Sequence, residues 1–317
     1  MRRILRSLIP SRPAGIGPAR ALYVTQAAYL AVLLGFFVVK GVGVTPDIIF
    51  LFLAFGFALK GARWTFVRDF GPFVLLLLSY DALRGFADDL GGRVHVTYPI
   101  AWDRALFGEV PTVTLQRWLF DPDNGHWYDY AAALMHVMHF VVPLLFAAVL
   151  WQHYRQHYWR FVVSLVVMSY AGFVTYILLP TAPPWYAGLT GDLPGVQLVH
   201  EALPALGAIY RFLSPNQVAA MPSLHAAYAW LFLMFGVRIW GWKAAPFALY
   251  VAAMYFSIVY LGHHYVVDIL GGIAYAVVAY VLCATDLVAE RMSALWRRLR
   301  PAPAAVEALA LAEREAA

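Results

Sequence analysis

Apolar residues along this chain gather into long runs separated by short polar stretches. A helix needs about 20 mostly apolar residues to cross the hydrocarbon core of a membrane. Six runs approach or exceed that length, at 21–40, 128–151, 159–179, 222–240, 244–262 and 265–285, and two weaker ones lie at 47–66 and 70–90. The pattern predicts an all-α fold, a polytopic membrane helix bundle of about eight transmembrane helices. The alternative is six, with 47–90 forming a hairpin that does not fully cross.

The charges between the runs bear on that count, because Lys and Arg favour the cytoplasmic side of short loops. With eight spans and both termini inside, every inner segment is basic. These are the tail with Arg2, Arg3, Arg6, Arg12 and Arg20, the turn with Lys60, Arg63 and Arg68, the turn with Arg155 and Arg160, the turn with Arg238 and Lys243, and the tail with Arg291, Arg297, Arg298 and Arg300. Most outer basic residues have acidic neighbours: Arg93 lies near Asp88 and Asp89, Arg104 beside Asp103, and Arg117 before Asp121. Dropping one weak run inverts half of the pattern. The expected organisation is a basic cytoplasmic tail over 1–20, a membrane domain over 21–285 and a cytoplasmic tail over 286–317. The first run lacks a short core ending in a small-residue cleavage site and reads as an uncleaved helix. The tail beyond Pro301 is Ala- and Glu-rich and reads as a frayed helix without chemistry. Two long outer connections, Asp88 to Trp127 and Pro180 to Ala220, are rich in Trp, Tyr and Pro and read as interfacial lids. No internal repeat is visible.

Composition agrees with this reading. The 317 residues are 62% hydrophobic and 13% charged, whereas a soluble domain is about half apolar and about a quarter charged. The formal charge of +5 is scattered in short clusters and gives no nucleic-acid signal. The single cysteine, Cys283, excludes disulfides within the chain.

Ionisable groups at membrane depth are expensive and point to function. In MPSLHAA, Ser223 and His225 open a run behind Pro222. The first turn of a helix offers free N–H groups to an anion, so a phosphate fits there with the Ser223 hydroxyl as a donor. An N-cap serine beside an interfacial histidine fits equally well. In LGHHYVVDILGG, His264 and Asp268 are four apart and share a face on a helix. A carboxylate so placed holds an imidazole in one tautomer, while His263 points elsewhere; a structural hydrogen bond between two buried polar residues is the other reading. In YDALRG, Tyr80 and Arg84 also share a face, and the forked Arg84 guanidinium suits phosphate oxygens; an ion pair with Asp81 or Asp88 is the other reading. In MHVMHF, His136 and His139 sit one turn apart and are candidates for facing a substrate or, less specifically, for ligating a metal.

The segment PSLHA followed about 40 positions later by HYVVD, together with PTAPPW (Pro180 to Trp185) and YDALR, resembles the type 2 phosphatidic acid phosphatase superfamily. The closer likeness is to its inositolphosphotransferase branch, which includes inositol phosphorylceramide synthases, and it covers about residues 76–285. The resemblance implies a helical core and phosphoryl transfer through a phosphohistidine, with no metal and no cofactor. His264 would be the nucleophile, Asp268 its orienting carboxylate, His225 the acid for the leaving oxygen and Ser223 a donor to the phosphate. The wider superfamily has an arginine after the serine that corresponds to Ser257; here Ile258 stands there, and PTAPPW lacks the basic residues of the first family segment. Arg84, then Arg211, are the candidates to bind phosphate instead, with contributions from His136, His139 or His263. Tyr80 and Trp185 complete the residues expected near the substrate.

The function expected is a membrane lipid phosphotransferase that moves a headgroup such as inositol phosphate from a lipid donor to a lipid acceptor. The site would face the extracytoplasmic side of a bacterial-type plasma membrane. The alternatives are a lipid or polyprenyl phosphate phosphatase, a metal-dependent membrane oxidase built on His136, His139, His263 and His264, and a non-catalytic transporter or lipid-binding protein.

Overall fold

The computed structural model describes residues 53, 63–90, 94–203 and 219–285. The predicted run 21–40 lies outside the described residues, as does 47–66 apart from Leu53 and residues 63–66, and as do both tails. The choice between eight and six spans therefore rests on segments outside them.

Among the described residues the fold is helical. The helices are α1 (Arg63–Leu90), α2 (Thr97–Phe107), α3 (Pro111–Leu119), α4 (Trp127–His153), α5 (Arg155–Leu178), α6 (Pro184–Thr190), α7 (Leu224–Trp240), α8 (Ala245–Tyr260) and α9 (Val266–Ala284), with a short 3-10 turn at Val199–Ala202. Helices α4, α5 and α9 and the α7–α8 pair are long and apolar enough to cross a membrane. The pair is interrupted at Gly241, whose φ of 58° ends α7. Large apolar side chains such as Val163, Leu249, Leu270 and Val278 face outward, as a lipid surround permits.

Helix α7 is the hub, packing against α4, α5, α8 and α9. Small residues allow this. A Cβ on Gly272 of α9 would lie 2.2 Å from the Ser223 carbonyl oxygen, so only glycine admits that approach. The chain runs up and down, so the start of α4, the end of α5, the start of α7, the end of α8 and the start of α9 share one end of the bundle. The turns with Arg155 and Arg160 and with Arg238 and Lys243 lie at the other.

Two boundaries differ from the expectation. Helix α1 begins at Arg63, not near residue 70, and takes in Arg63 and Arg68, two of the three residues expected to form a basic turn. Buried Asp69 makes this tenable by collecting Arg68, Arg155 and Trp151. The two outer connections, expected as lids without regular structure, contain α2, α3 and α6. Three short segments of these connections pair by single bridges, His95 with Thr181 and Thr181 with Ala219.

Candidate active site

Two backbone devices place the polar residues. Helix α7 starts where the Ser223 hydroxyl accepts the Ala226 N–H at 3.3 Å, and the Ser223 N–H donates to the Asp268 carbonyl at 3.0 Å. Tyr176 ties down the same turn by donating to the Pro222 carbonyl at 2.7 Å. Helix α9 starts under two carboxylates. Asp268 accepts the Tyr265 N–H at 2.8 Å. Asp103 of α2, fully buried, accepts the N–H groups of Val266 and Val267 at 3.1 and 3.0 Å. Burial pushes the Asp103 carboxyl up to about 6, against the pull of those two donors.

The result is a close imidazole pair. His225 Nδ1 lies 3.1 Å from His264 Nε2. His264 Nδ1 lies 2.9 Å from the Ala220 carbonyl oxygen and 3.5 Å from Asp268 Oδ2. A carbonyl only accepts, so Nδ1 of His264 carries the hydrogen. Its Nε2 is then a lone pair, and the hydrogen between the two rings sits on His225 Nδ1. The orienting hydrogen bond of His264 thus comes first from Ala220, with the Asp268 carboxylate behind it. His264 and Asp268 meet, although not by sharing a helix face: α9 begins at Val266, and His264 belongs to the turn before it. Gly262 of that turn has φ +85°, and a Cβ there would lie 2.8 Å from the Gln197 carbonyl oxygen. Gln116 locks the same approach by donating to the carbonyls of Gln197 and Tyr260, each at 2.9 Å.

Around the pair, six of the ten histidines converge. His136 stacks on His263 at 4.1 Å between ring centroids and on His225 at 4.6 Å. His200 stacks on His263 at 5.1 Å, and His139 on His225 at 4.1 Å and on Tyr228 at 4.6 Å. The expectation that His263 points elsewhere is therefore corrected. It rested on a helical wheel, and the residue precedes the helix. His200 was missed. Its only signal is a lone histidine in the second long connection, brought in by the 3-10 turn. Near-parallel stacks aim ring nitrogens side by side, and among the described residues no group of three or more His, Cys, Asp or Glu is arranged to hold a metal ion.

Of the other expected residues, Tyr80, His139 and the two paired histidines line one part-open cavity with Phe140, Tyr176, Ala219 and Leu224, about 400 Å³ when the space open to its surroundings is included. A second cavity of about 400 Å³ shares Tyr80, His139 and Phe140 and continues along Leu77, Pro143, Leu144 and Tyr228. Trp185 does not line either cavity; its backbone N–H donates to the Gly262 carbonyl at 3.0 Å. Arg84 lies on α1, but its side chain is outside the description, and Arg211 is outside the described residues.

Comparison with known proteins adds the following. The family model of the PAP2 superfamily matches residues 100–282, more than half of the chain. Phosphoinositol dihydroceramide synthase of Bacteroides thetaiotaomicron is 28% identical over 237 residues, 69% of this chain and 77% of that protein. Inositol phosphorylceramide synthase of Candida albicans is 27% identical over 158 residues, 46% of this chain and 32% of that protein. The inositol phosphorylceramide synthase catalytic subunit of Schizosaccharomyces pombe is 30% identical over 125 residues, 36% of this chain and 30% of that protein. The chain thus spans about a third of the length of these fungal relatives. No solved structure matches.

Proposed function

The chain belongs to the PAP2 superfamily, and from that premise we propose that it is a membrane lipid phosphotransferase carrying an inositol phosphate-like headgroup from one lipid to another. The names of the relatives point to a phosphoinositol headgroup and a ceramide-type acceptor. The observation that carries the reading is the 3.1 Å contact between His225 Nδ1 and His264 Nε2, with the His264 Nδ1–H held from behind.

The chemistry follows from those tautomers. The two rings part to admit the donor lipid's phosphorus, because 3.1 Å leaves no room for it. The lone pair on His264 Nε2 attacks phosphorus, and the bond to the glycerolipid oxygen breaks. That oxygen takes the proton from His225 Nδ1 and leaves as an alcohol. The phosphoryl-imidazole keeps its Nδ1–H toward Ala220 and Asp268, which offset the positive charge formed on the ring. In the second half the acceptor hydroxyl gives its proton to His225 and attacks phosphorus, freeing His264. Neither step needs a metal. The apolar second cavity leads away from the pair and suits a lipid chain.

The charge pattern supports a site on the extracytoplasmic side, since the basic turns lie at the opposite end of the bundle. The test is a purified-protein assay with phosphate-labelled phosphatidylinositol, candidate acceptor lipids and a chelator, comparing wild type with His264→Ala. Label moving to a new lipid only when His264 is intact supports the proposal. Label appearing in water instead makes the protein a hydrolase. An active His264→Ala protein overturns the site.

A further inference from the structure

A phosphodiester bound between His225 and His264 brings one fixed negative charge into a buried site. The cavity beside the pair has no Lys or Arg among its described lining residues. Ile258 stands where the family resemblance leads one to expect an arginine. What the site does have is a continuous column of imidazoles, His200, His263, His136 and His225, with ring centroids 5.1, 4.1 and 4.6 Å apart in that order. The successive interplanar angles are 3°, 10° and 23°. Nε2 of His263 and Nε2 of His225 are both buried without a hydrogen-bond partner. A buried imidazole nitrogen in that state is costly, and two in one column indicate a binding partner still to come.

Resting on the proposed transfer reaction, we propose that this column is the phosphate's countercharge: one proton enters the stack when the lipid phosphodiester binds and leaves when the product does. The balance is one anion and one proton in, one anion and one proton out, with bulk water as the proton source. His225 keeps its separate Nδ1 hydrogen for the leaving oxygen. The column takes one proton and not several, because imidazolium rings at these spacings repel one another. Without an anion it rests neutral. Burial holds the His200 imidazole down at about 3 and the His263 imidazole well below its usual value. Among the described residues, the titratable groups facing the column are His139 and Tyr228 alongside His225, His264 in the turn before α9, Asp268 in its first turn, and Tyr80 and Tyr176 in the adjoining cavity. Asp268 is the only carboxylate of that set, and its Oδ2 is engaged by the Tyr265 N–H. A proton shared by stacked rings also differs from an arginine in function, since it departs with the phosphate and leaves no fixed cation to trap the product.

The test uses glycerophosphoinositol, a water-soluble phosphodiester whose charge is fixed near neutrality. Its binding to the purified full chain is followed by calorimetry in buffers of differing ionisation enthalpy, which counts protons taken up. The expected result is close to one proton per diester, with affinity falling about tenfold per pH unit on the alkaline side. His263→Gln, and separately His136→Asn, should lose the uptake and flatten that pH dependence while thermal midpoints stay near wild type. Binding without proton uptake, or uptake unchanged in both variants, overturns the inference but leaves the transfer reaction standing. If affinity instead disappears in Arg84→Gln with no uptake in wild type, arginine supplies the charge and the column does not. No binding at all counts against both the inference and the reaction it rests on.

Discussion

Helix α4 carries two buried polar clusters, 12 to 15 residues apart, or roughly 20 Å at 1.5 Å per residue. At its far end Trp151 donates to Asp69 at 2.9 Å, and Arg68 at 3.0 Å and Arg155 add to the same carboxylate. Tyr158 donates to the Asp69 carbonyl at 2.9 Å, and its ring stacks on Phe70 at 5.1 Å. Near its start, His136 and His139 join a cluster of stacked imidazoles in which Nε2 of His225 and of His263 have no hydrogen-bond partner. The first cluster pairs charge with charge and directs each donor at an acceptor. The second stacks like upon like. A saturated buried cluster holds a fold together, whereas an unsaturated one carries an unmet demand that a substrate can satisfy.

The contrast is broken most severely by removing the nucleophile. His264→Ala is expected to lower transfer by about 10⁴-fold or more while lowering the thermal midpoint only modestly, through the lost hydrogen bonds to His225 and Ala220. Activity within tenfold of wild type would sink the assignment. Next is His225→Ala, with an expected loss of about 10²–10⁴-fold. Here a donor with a more acidic leaving alcohol should recover much of the rate, because it needs no proton. The same loss for both donors would argue against His225 as the acid.

The opposite cluster sharpens the comparison by reversing the observables. Asp69→Ala removes the acceptor of the Trp151 N–H and the carboxylate facing the half-exposed Arg155, at about 1–2 kcal/mol of stability. Thermal unfolding in detergent should show that loss, while the protein that remains folded keeps its transfer rate. A variant that unfolds normally but fails to turn over lipid would mean that the two clusters are coupled along α4.

How much of this was legible in the chain depends on what each residue needed. Hydropathy was enough for α4, α5, α7, α8 and α9, because a membrane leaves a long apolar run few structures other than a helix. Ser223, His225, His264 and Asp268 were legible as types at a spacing. The geometry that joins His264 to Asp268 was not, because a helical wheel has no place for the turn that precedes Val266. His200 and Asp103 come from the long connections, and only tertiary packing brings them to the start of α9 and to His263. Asp103 appeared in the sequence as a neighbour of Arg104. In the fold it is fully buried and bonded to two backbone N–H groups 163 and 164 positions away.

That carboxylate provides the most selective effect. The folded Asp103 titrates near 6, raised by burial above an ordinary aspartate value of 3.8. Between about pH 4 and 6 the folded chain holds a proton on Asp103 that the unfolded chain has released, so stability falls as pH rises through that window. A shift of about two units limits the effect to under about 3 kcal/mol. His200, held down at about 3, works in the opposite sense over an overlapping range, because the unfolded chain binds the extra proton there. The Asp103 contribution is therefore read as the difference between wild type and Asp103→Asn, measured as unfolding midpoints from about pH 4 to 7. The wild type should lose stability relative to the variant as pH rises, and the difference should level off above about pH 6. If the difference runs the other way, the Val266 and Val267 N–H groups outweigh burial. Asp103 would then be a carboxylate pinned in its charged form, a fixed strut for the turn that holds His264, which would place it with the saturated cluster rather than with the histidines.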